Sequence, residues 1–173
     1  MQSTVYWVDV AAPGRIGIVP RPRGHDWLPD EASALRAAGV DILVSLLQTE
    51  EAAELGLSRE GAECSAAGME FVSVPVADRG VPLDHREFTA AAEKLSTSVT
   101  TGKRVAVHCR QSVGRAGLLV TAIVLLVGKQ PLRESILAVS RARGCNVPET
   151  QEQLLWLERF ARNIGESRPP NSG

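Results

Sequence analysis

The chain has 173 residues, which is enough for one domain with a full hydrophobic core. Its composition, 44% hydrophobic and 23% charged, is that of an ordinary soluble globular protein. The formal net charge of −1 excludes a general electrostatic attraction to nucleic acid or to anionic membranes.

Strand-like and helix-like patterns alternate along the chain. The strand-like patterns occupy residues 4–10, 14–19, 41–47, 69–76 and 103–108. The first helical pattern begins at a cap, Asp26 or Asp30, and ends at Ala38. Further helical patterns cover residues 49–56, 58–67, 85–97, 115–127, 132–142 and 150–163. This order predicts an α/β fold, with a central, largely parallel sheet flanked by helices.

The sequence shows no internal repeat, linker or second domain. We therefore expect a single domain over residues 1–165, followed by a polar, disordered tail at 166–173. No charged segment precedes an apolar core near the start, so we expect no signal peptide. The longest apolar stretch, 117–128, is too short to cross a bilayer. The three widely spaced cysteines do not suggest a disulfide framework, and we expect a cytoplasmic monomer without nucleic-acid or membrane partners.

The segment 105–117 carries the densest chemistry. An apolar strand ends at Cys109, a short turn follows, and Arg115 opens a buried helix. The backbone N–H groups of such a turn form an anion site at the helix N-terminus, and their field favours the thiolate of Cys109. Arg115 adds a planar fork that matches two phosphate oxygens. The turn residues that we expect to bind phosphate are Arg110, Gln111, Ser112, Val113 and Gly114.

Cys-x5-Arg is a weak pattern by itself, and a buried structural cysteine at a strand end is the alternative. That alternative explains neither the polar run 110–112 nor an arginine that opens an otherwise apolar helix. The strand, turn and helix around the pattern favour the functional interpretation.

The His108-Cys109-x5-Arg115 pattern resembles the signature loop of cysteine-dependent protein phosphatases. Residues 5–164 resemble the compact dual-specificity branch, including small bacterial members and relatives of the kinase-associated phosphatase. The supporting motifs lie at 75–82 and 147–153. The resemblance implies hydrolysis of phosphotyrosine, and of phosphoserine or phosphothreonine, on a phosphorylated protein or small phosphomonoester. We expect no metal and no cofactor.

The resemblance also implies catalytic roles. Cys109 attacks phosphorus and forms a phosphocysteine, Arg115 holds the phosphoryl oxygens, and Asp78 acts as general acid and later as base. The alternative for Asp78 is an aspartate that stabilises its own turn. Asp84 is a second candidate acid, although it looks more like the cap of the helix at His85.

Other residues have a supporting role in this interpretation. His108 supports the loop and the thiolate, unless it is a plain strand-end histidine. Gln153 helps to place the hydrolytic water, unless it only forms a capping box with Thr150. Two further residues, Arg110 and Arg79, either face the substrate or are solvated surface arginines.

Two positions depart from the family pattern. Ala116 stands where the family has a serine or threonine whose hydroxyl helps sulfur to leave, so we expect slow breakdown of the phosphoenzyme. Ser112 stands where glycine is usual. The turn must therefore avoid a strongly positive φ at Ser112 or carry strain there.

Two alternative functions remain open at this stage. One is a catalytically weak phosphate-binding pseudophosphatase, which Ala116 favours. The other is thiol redox chemistry such as arsenate reduction, which requires Cys64 or Cys145 to come within disulfide range of Cys109. The signature loop contains no lysine, which argues against substrates with several phosphates.

Overall fold

The sheet of the protein is almost entirely parallel. The computed structural model describes residues 4–166. Its strands are β1 (Tyr6–Val8), β2 (Arg15–Ile18), β3 (Ile42–Ser45), β4 (Glu70–Ser73) and β5 (Arg104–His108). They form one sheet in the order β1-β2-β5-β3-β4, in which β1 alone runs antiparallel to its neighbour. The predicted α/β fold with a largely parallel central sheet is confirmed.

The helices follow the predicted order with small shifts at their ends. They are α1 (Leu28–Ala37), α2 (Thr49–Glu54), α3 (Glu60–Ala66), α4 (His85–Thr100), α5 (Gly114–Gly128), α6 (Leu132–Arg143) and α7 (Gln151–Glu166). The predicted cap of the first helix is wrong. A 3₁₀ turn at His25–Trp27 leads into α1, so Trp27 is the N-cap and Asp30 lies in the first turn. The predicted tail at 166–173 lies outside the described residues, except Glu166, which ends α7.

Both faces of the sheet are covered. Alternate residues of β5 enter different cores: Val105 and Val107 join the cluster on the α4–α7 side, and Ala106 joins the cluster beneath α1 and α3. All three are fully buried, as expected for a parallel strand with helices on both sides. Helix α5 is buried from Gly114 to Leu125, between the sheet and helices α4, α6 and α7. No helix among the described residues is both long and apolar enough to cross a bilayer.

The chain segments that leave β3, β4 and β5 lie side by side at one edge of the sheet. The N–H of Leu46 donates to the carbonyl of His108 over 3.1 Å, and the N–H of Val76 donates to the carbonyl of Leu46 over 3.1 Å. The turn after β5, the start of α2 and the loop after β4 are thereby brought together. Open α/β sheets bind their ligands at this edge.

Candidate active site

The turn between β5 and α5 contains a left-handed residue, as do backbone nests that bind anions. Cys109 follows β5 directly and is 2% exposed. Ser112 adopts a left-handed conformation with φ of 53°. Alternation between right- and left-handed residues turns successive N–H groups to one side, where an anion binds. The sequence left open whether the turn avoids a positive φ at Ser112 or carries strain there. The structure has the positive φ.

The other turn residues surround this conformation. Gln111 is exposed, Val113 is half-buried, and Gly114 is buried at the start of α5. The Ser112 side chain is buried, and its hydroxyl has no hydrogen-bond partner among the described residues. The Ser112 hydroxyl therefore takes no part in holding the turn.

Arg115 is buried, with a side chain that is 1% exposed, and both of its Nη atoms are hydrogen-bonded. Glu51 accepts two hydrogen bonds from it, 2.7 Å from Nη1 and 3.0 Å from Nη2. Nη1 also donates to the carbonyl of Val76 at 2.9 Å and, more weakly, to that of Leu46 at 3.4 Å. Nη2 donates to Asp78 Oδ1 at 2.9 Å. The guanidinium therefore joins the ends of β3 and β4 to the signature loop.

The surroundings of Arg115 keep its positive charge. Burial lowers the pKa of the guanidinium, but the hydrogen bond with Glu51 and the charges of Cys109, Glu51 and Asp78 outweigh that effect and raise the pKa. A planar cation of fixed charge and orientation is suited to hold the oxygens of a phosphoryl group.

Glu51 is held as a carboxylate by the same contacts. Burial raises the pKa of its carboxyl group, but hydrogen bonds from Arg115 and from the N–H of Gln48 lower it further than burial raises it. The charges of Arg115 and Arg110 add to the lowering. The pKa of Glu51 consequently lies below its ordinary value.

Asp78 lies in the loop after β4, with a side chain that is 51% exposed. The structure brings Asp78 to Arg115, beside the loop of Cys109. Asp84, the second candidate acid, is the N-cap of α4. Its Oδ1 accepts hydrogen bonds from the N–H groups of Arg86 and Glu87, at 2.9 and 3.0 Å, and caps α4 as expected.

His108 is fully buried behind the signature loop. Its Nε2 lies 2.9 Å from Oε1 of Glu60, a buried residue at the start of α3. Its Nδ1 lies 3.4 Å from the carbonyl oxygen of Cys109. Neither Nε2 of His108 nor Oε1 of Glu60 has a hydrogen-bond partner elsewhere in residues 4–166. The imidazole is therefore wedged between α3 and the backbone of Cys109.

Gln153 forms the expected capping box and one further contact. Its N–H donates to the hydroxyl of Thr150, and its Oε1 accepts from the N–H of Thr150, both at 3.2 Å. Its Nε2 also donates to the carbonyl of Gly80 at 3.0 Å, which ties α7 to the loop of Asp78. A Cβ on Gly114 would lie 3.0 Å from Oε1 of Gln153, so the glycine allows this side chain to sit against the signature loop.

The two arginines at the rim of the site are held by carboxylates. Arg110 donates from Nη2 to Glu54 at 2.8 Å, which places it over α2. Arg79 donates from Nη1 to Glu149 at a longer 3.3 Å. Within residues 4–166, no group of three or more His, Cys, Asp or Glu side chains is placed to hold a metal ion.

The cysteines are all free. Cys64 packs in the core beneath α1 and α3, whereas Cys109 belongs to the core on the other face of the sheet. Burial, together with the charges of Glu60 and Glu63, raises the pKa of the Cys64 thiol to about 12. Cys145 is exposed between α6 and α7.

The sequence matches the model of a known protein family. A family model described as "Polymorphic toxin system, DSP-PTPase phosphatase" matches residues 18–129, well over half of the chain. The chain belongs to this family. The matched range contains Asp78, Cys109 and Arg115.

Solved structures share the fold of this DSP-PTPase phosphatase. Kinase-associated phosphatase, with a serine replacing its catalytic cysteine, is 17% identical with a TM-score of 0.83, and the match covers 98% of this chain and 99% of that one. Tk-PTP in its active form is 26% identical with a TM-score of 0.77, covering 95% and 100%. Human DUSP28 carrying a tyrosine-to-histidine change is 19% identical with a TM-score of 0.67, covering 94% and 98%. No curated protein matches the sequence.

The predicted resemblance to the compact dual-specificity branch is confirmed. The protein is a dual-specificity-phosphatase-like cysteine phosphatase, hence a phosphoric monoester hydrolase with a phosphorylated substrate.

Sequence reasoning missed two residues of the DSP-PTPase site, Glu51 and Glu60. Both were assigned only to short helices, α2 and α3. The available signal for Glu51 was its position just after β3, at the edge where β5 ends. That signal did not distinguish Glu51 from Glu50, because the two differ only in which face of α2 they occupy.

The Glu51–Arg115 pair predicts a pH-dependent contribution to stability. Because the pKa of Glu51 is lowered on folding, its contribution is present above the ordinary value of 4.5 and is lost as the pH falls through the folded-state pKa. Glu51→Gln should reduce the free energy of unfolding by about 1–3 kcal/mol at pH 7. This difference in stability from wild type should shrink as the pH falls below 4.5, because the wild-type carboxylate then becomes protonated.

Urea unfolding between pH 7 and pH 3 measures this effect. Glu50→Gln is the matched control, since Glu50 is the exposed neighbour on α2, and it should change stability little at any pH. A Glu51→Gln deficit that stays constant across this range would show that the carboxylate is not what Arg115 requires.

Proposed function

We propose that this phosphatase hydrolyses phosphotyrosine, and phosphoserine or phosphothreonine, in proteins through a phosphocysteine on Cys109. The observation that carries the proposal is the 2.9 Å hydrogen bond from Arg115 Nη2 to Asp78 Oδ1, beside the nest that follows Cys109. Nucleophile, anion site and proton donor are thereby within one site.

The substrate range rests on the loops around the site. Residues 46–56, 75–84, 109–114 and 144–151 contain no aromatic side chain. A deep slot that admits only a phosphotyrosine ring would need tall walls, and none of these loops supplies an aromatic one. The family description, which joins dual-specificity and tyrosine phosphatases, agrees with a permissive cleft.

In the first step, the sulfur of Cys109 attacks phosphorus in line, and the bond from phosphorus to the ester oxygen breaks. Arg115 and the N–H groups of the turn stabilise the charge that spreads over the phosphoryl oxygens. Asp78 donates a proton to the departing oxygen. The phosphoryl group competes with Asp78 for Nη2 of Arg115, so substrate binding frees the carboxyl group to face the leaving oxygen.

In the second step, water attacks the phosphocysteine, Asp78 accepts its proton, and the sulfur of Cys109 leaves as a thiolate. The amide of Gln153 is already bonded to Thr150 and Gly80. The Gln153 side chain is fully buried. The main task of Gln153 in this proposal is to hold the loop of Asp78 against α7.

Two substitutions test the catalytic roles. Cys109→Ser should abolish hydrolysis of p-nitrophenyl phosphate. Asp78→Ala should reduce kcat by about a hundredfold or more and remove the fall of activity at high pH, because the general acid is lost. The measurement is the pH profile of kcat and kcat/KM.

Asp84→Ala is the matched control for Asp78→Ala. It removes the cap of α4, so it should lower Tm while keeping the shape of the pH profile. If Asp84→Ala rather than Asp78→Ala flattened the profile, the proton donor would be wrongly assigned. Full activity in Cys109→Ser would refute the phosphocysteine route.

A phosphate-binding module is the second candidate function, and Ala116 is the observation that favours it. The residue is fully buried and offers no hydroxyl to the sulfur of Cys109. Thiol redox chemistry is less favoured, because Cys64 lies on the other face of the sheet with a pKa raised to about 12.

Ala116→Ser tests what the missing hydroxyl does. With slow breakdown of the phosphoenzyme, wild type should show an initial burst of nitrophenol and then a slow steady rate. The serine should raise the steady rate by roughly tenfold and shrink the burst, because one hydrogen bond to the leaving sulfur is restored.

Ala122→Ser adds the same hydroxyl to another fully buried position of α5 and serves as the control. It should leave both kinetic phases as in wild type. Identical burst and steady rate in Ala116→Ser and wild type would show that breakdown is not limited at this position.

A further inference from the structure

Ser112 holds a backbone conformation that its own side chain does not support. A φ of 53° suits glycine, and a side chain disfavours it. The hydroxyl of Ser112 is buried without a hydrogen-bond partner among the described residues. The turn therefore depends on another contact to keep this residue left-handed.

Arg143 supplies such a contact from outside the signature loop. Its Nε donates a hydrogen bond to the carbonyl oxygen of Ser112 over 2.8 Å. Its guanidinium also lies over the ring of Tyr6, 4.7 Å from the ring centroid. Arg143 is the last residue of α6, and Gly144 ends that helix with a φ of 78°. The side chain thus spans from α6 to β1 and the signature loop.

We propose that Arg143 is a positioning residue for the signature loop. By holding the carbonyl of Ser112 outward, it keeps the N–H groups of the nest turned toward the anion. It makes up for a serine at a position whose conformation suits glycine. The consequence for turnover rests on the proposed function, whereas the consequence for anion binding does not.

The chemistry of the contact sets what can replace Arg143. A stacked, planar guanidinium fixes the direction of its Nε–H, and the ring of Tyr6 fixes the plane. Lysine keeps the charge but has no Nε–H at that point of the side chain. Arg143→Lys should therefore behave like Arg143→Gln and not like wild type.

The test compares Arg143→Gln in two backgrounds, wild type and Ser112→Gly. The readouts are kcat/KM for p-nitrophenyl phosphate and, independently of turnover, the Kd for inorganic tungstate measured by calorimetry. In the wild-type background both should worsen by about tenfold, the effect of losing one charge-assisted hydrogen bond. In the Ser112→Gly background the loss should be less than about threefold, because glycine adopts the left-handed conformation unaided.

The background dependence separates positioning from a general structural role. If Arg143 only joined α6 to β1, its loss would cost the same in both backgrounds, and that result would overturn the proposal. So would unchanged tungstate binding in Arg143→Gln. Arg141→Gln is the matched control, since Arg141 is exposed on the same last turn, and it should behave as wild type.

Tyr6→Leu provides a second test if Arg143→Gln does not fold. It leaves the arginine in place but removes the ring that orients it, so tungstate binding should weaken by about threefold in the wild-type background and less with Ser112→Gly. Equal effects in both backgrounds would again contradict the proposal. Absence of hydrolysis by wild type, with the tungstate pattern intact, would refute the proposed function and leave the role of Arg143 standing.

Discussion

The site depends on one buried cation. Arg115 is 1% exposed, and a desolvated charge is tolerated only with compensating partners. The protein supplies them from Glu51 on α2 and from the carbonyl of Val76 after β4. Because these partners must reach the same guanidinium, the loops after β3, β4 and β5 are fixed relative to one another. Asp78 comes beside the turn that follows Cys109 as part of that arrangement.

Around this cation the site is held from three further directions. Glu60 on α3 contacts His108 behind the turn, Gln153 at the start of α7 bonds the loop of Asp78, and Arg143 at the end of α6 bonds Ser112. Each contact comes from a helix that also packs in the core. The positions of the reacting groups are thereby tied to the packing of helices on both faces of the sheet.

The parts of this arrangement that follow from local sequence were predictable. The apolar run that ends at Cys109, the turn and the buried helix after Arg115 together indicate an anion site, since all three lie within one continuous segment. The cap by Asp84 and the capping box of Thr150 and Gln153 are likewise short-range patterns.

Long-range side-chain contacts were not predictable. Arg115 and Glu51 are 64 residues apart, and Arg143 and Ser112 are 31 apart, so no periodicity connects them. The start of the first helix was not predictable either, although only neighbouring residues decide it. Two aspartates looked like caps, but a 3₁₀ turn at His25–Trp27 takes the chain past Asp26 before α1 begins.

The central claim is that the phosphoryl group is transferred to the sulfur of Cys109 before it is transferred to water. Rapid acid quenching during turnover of p-nitrophenyl phosphate, followed by peptide mass spectrometry, tests it most directly. The account predicts a phosphoryl adduct on the peptide that contains Cys109, and the slow breakdown proposed from Ala116 predicts a high occupancy of that adduct. Steady hydrolysis with no adduct on Cys109 at any quench time, or an adduct on another residue, would contradict it.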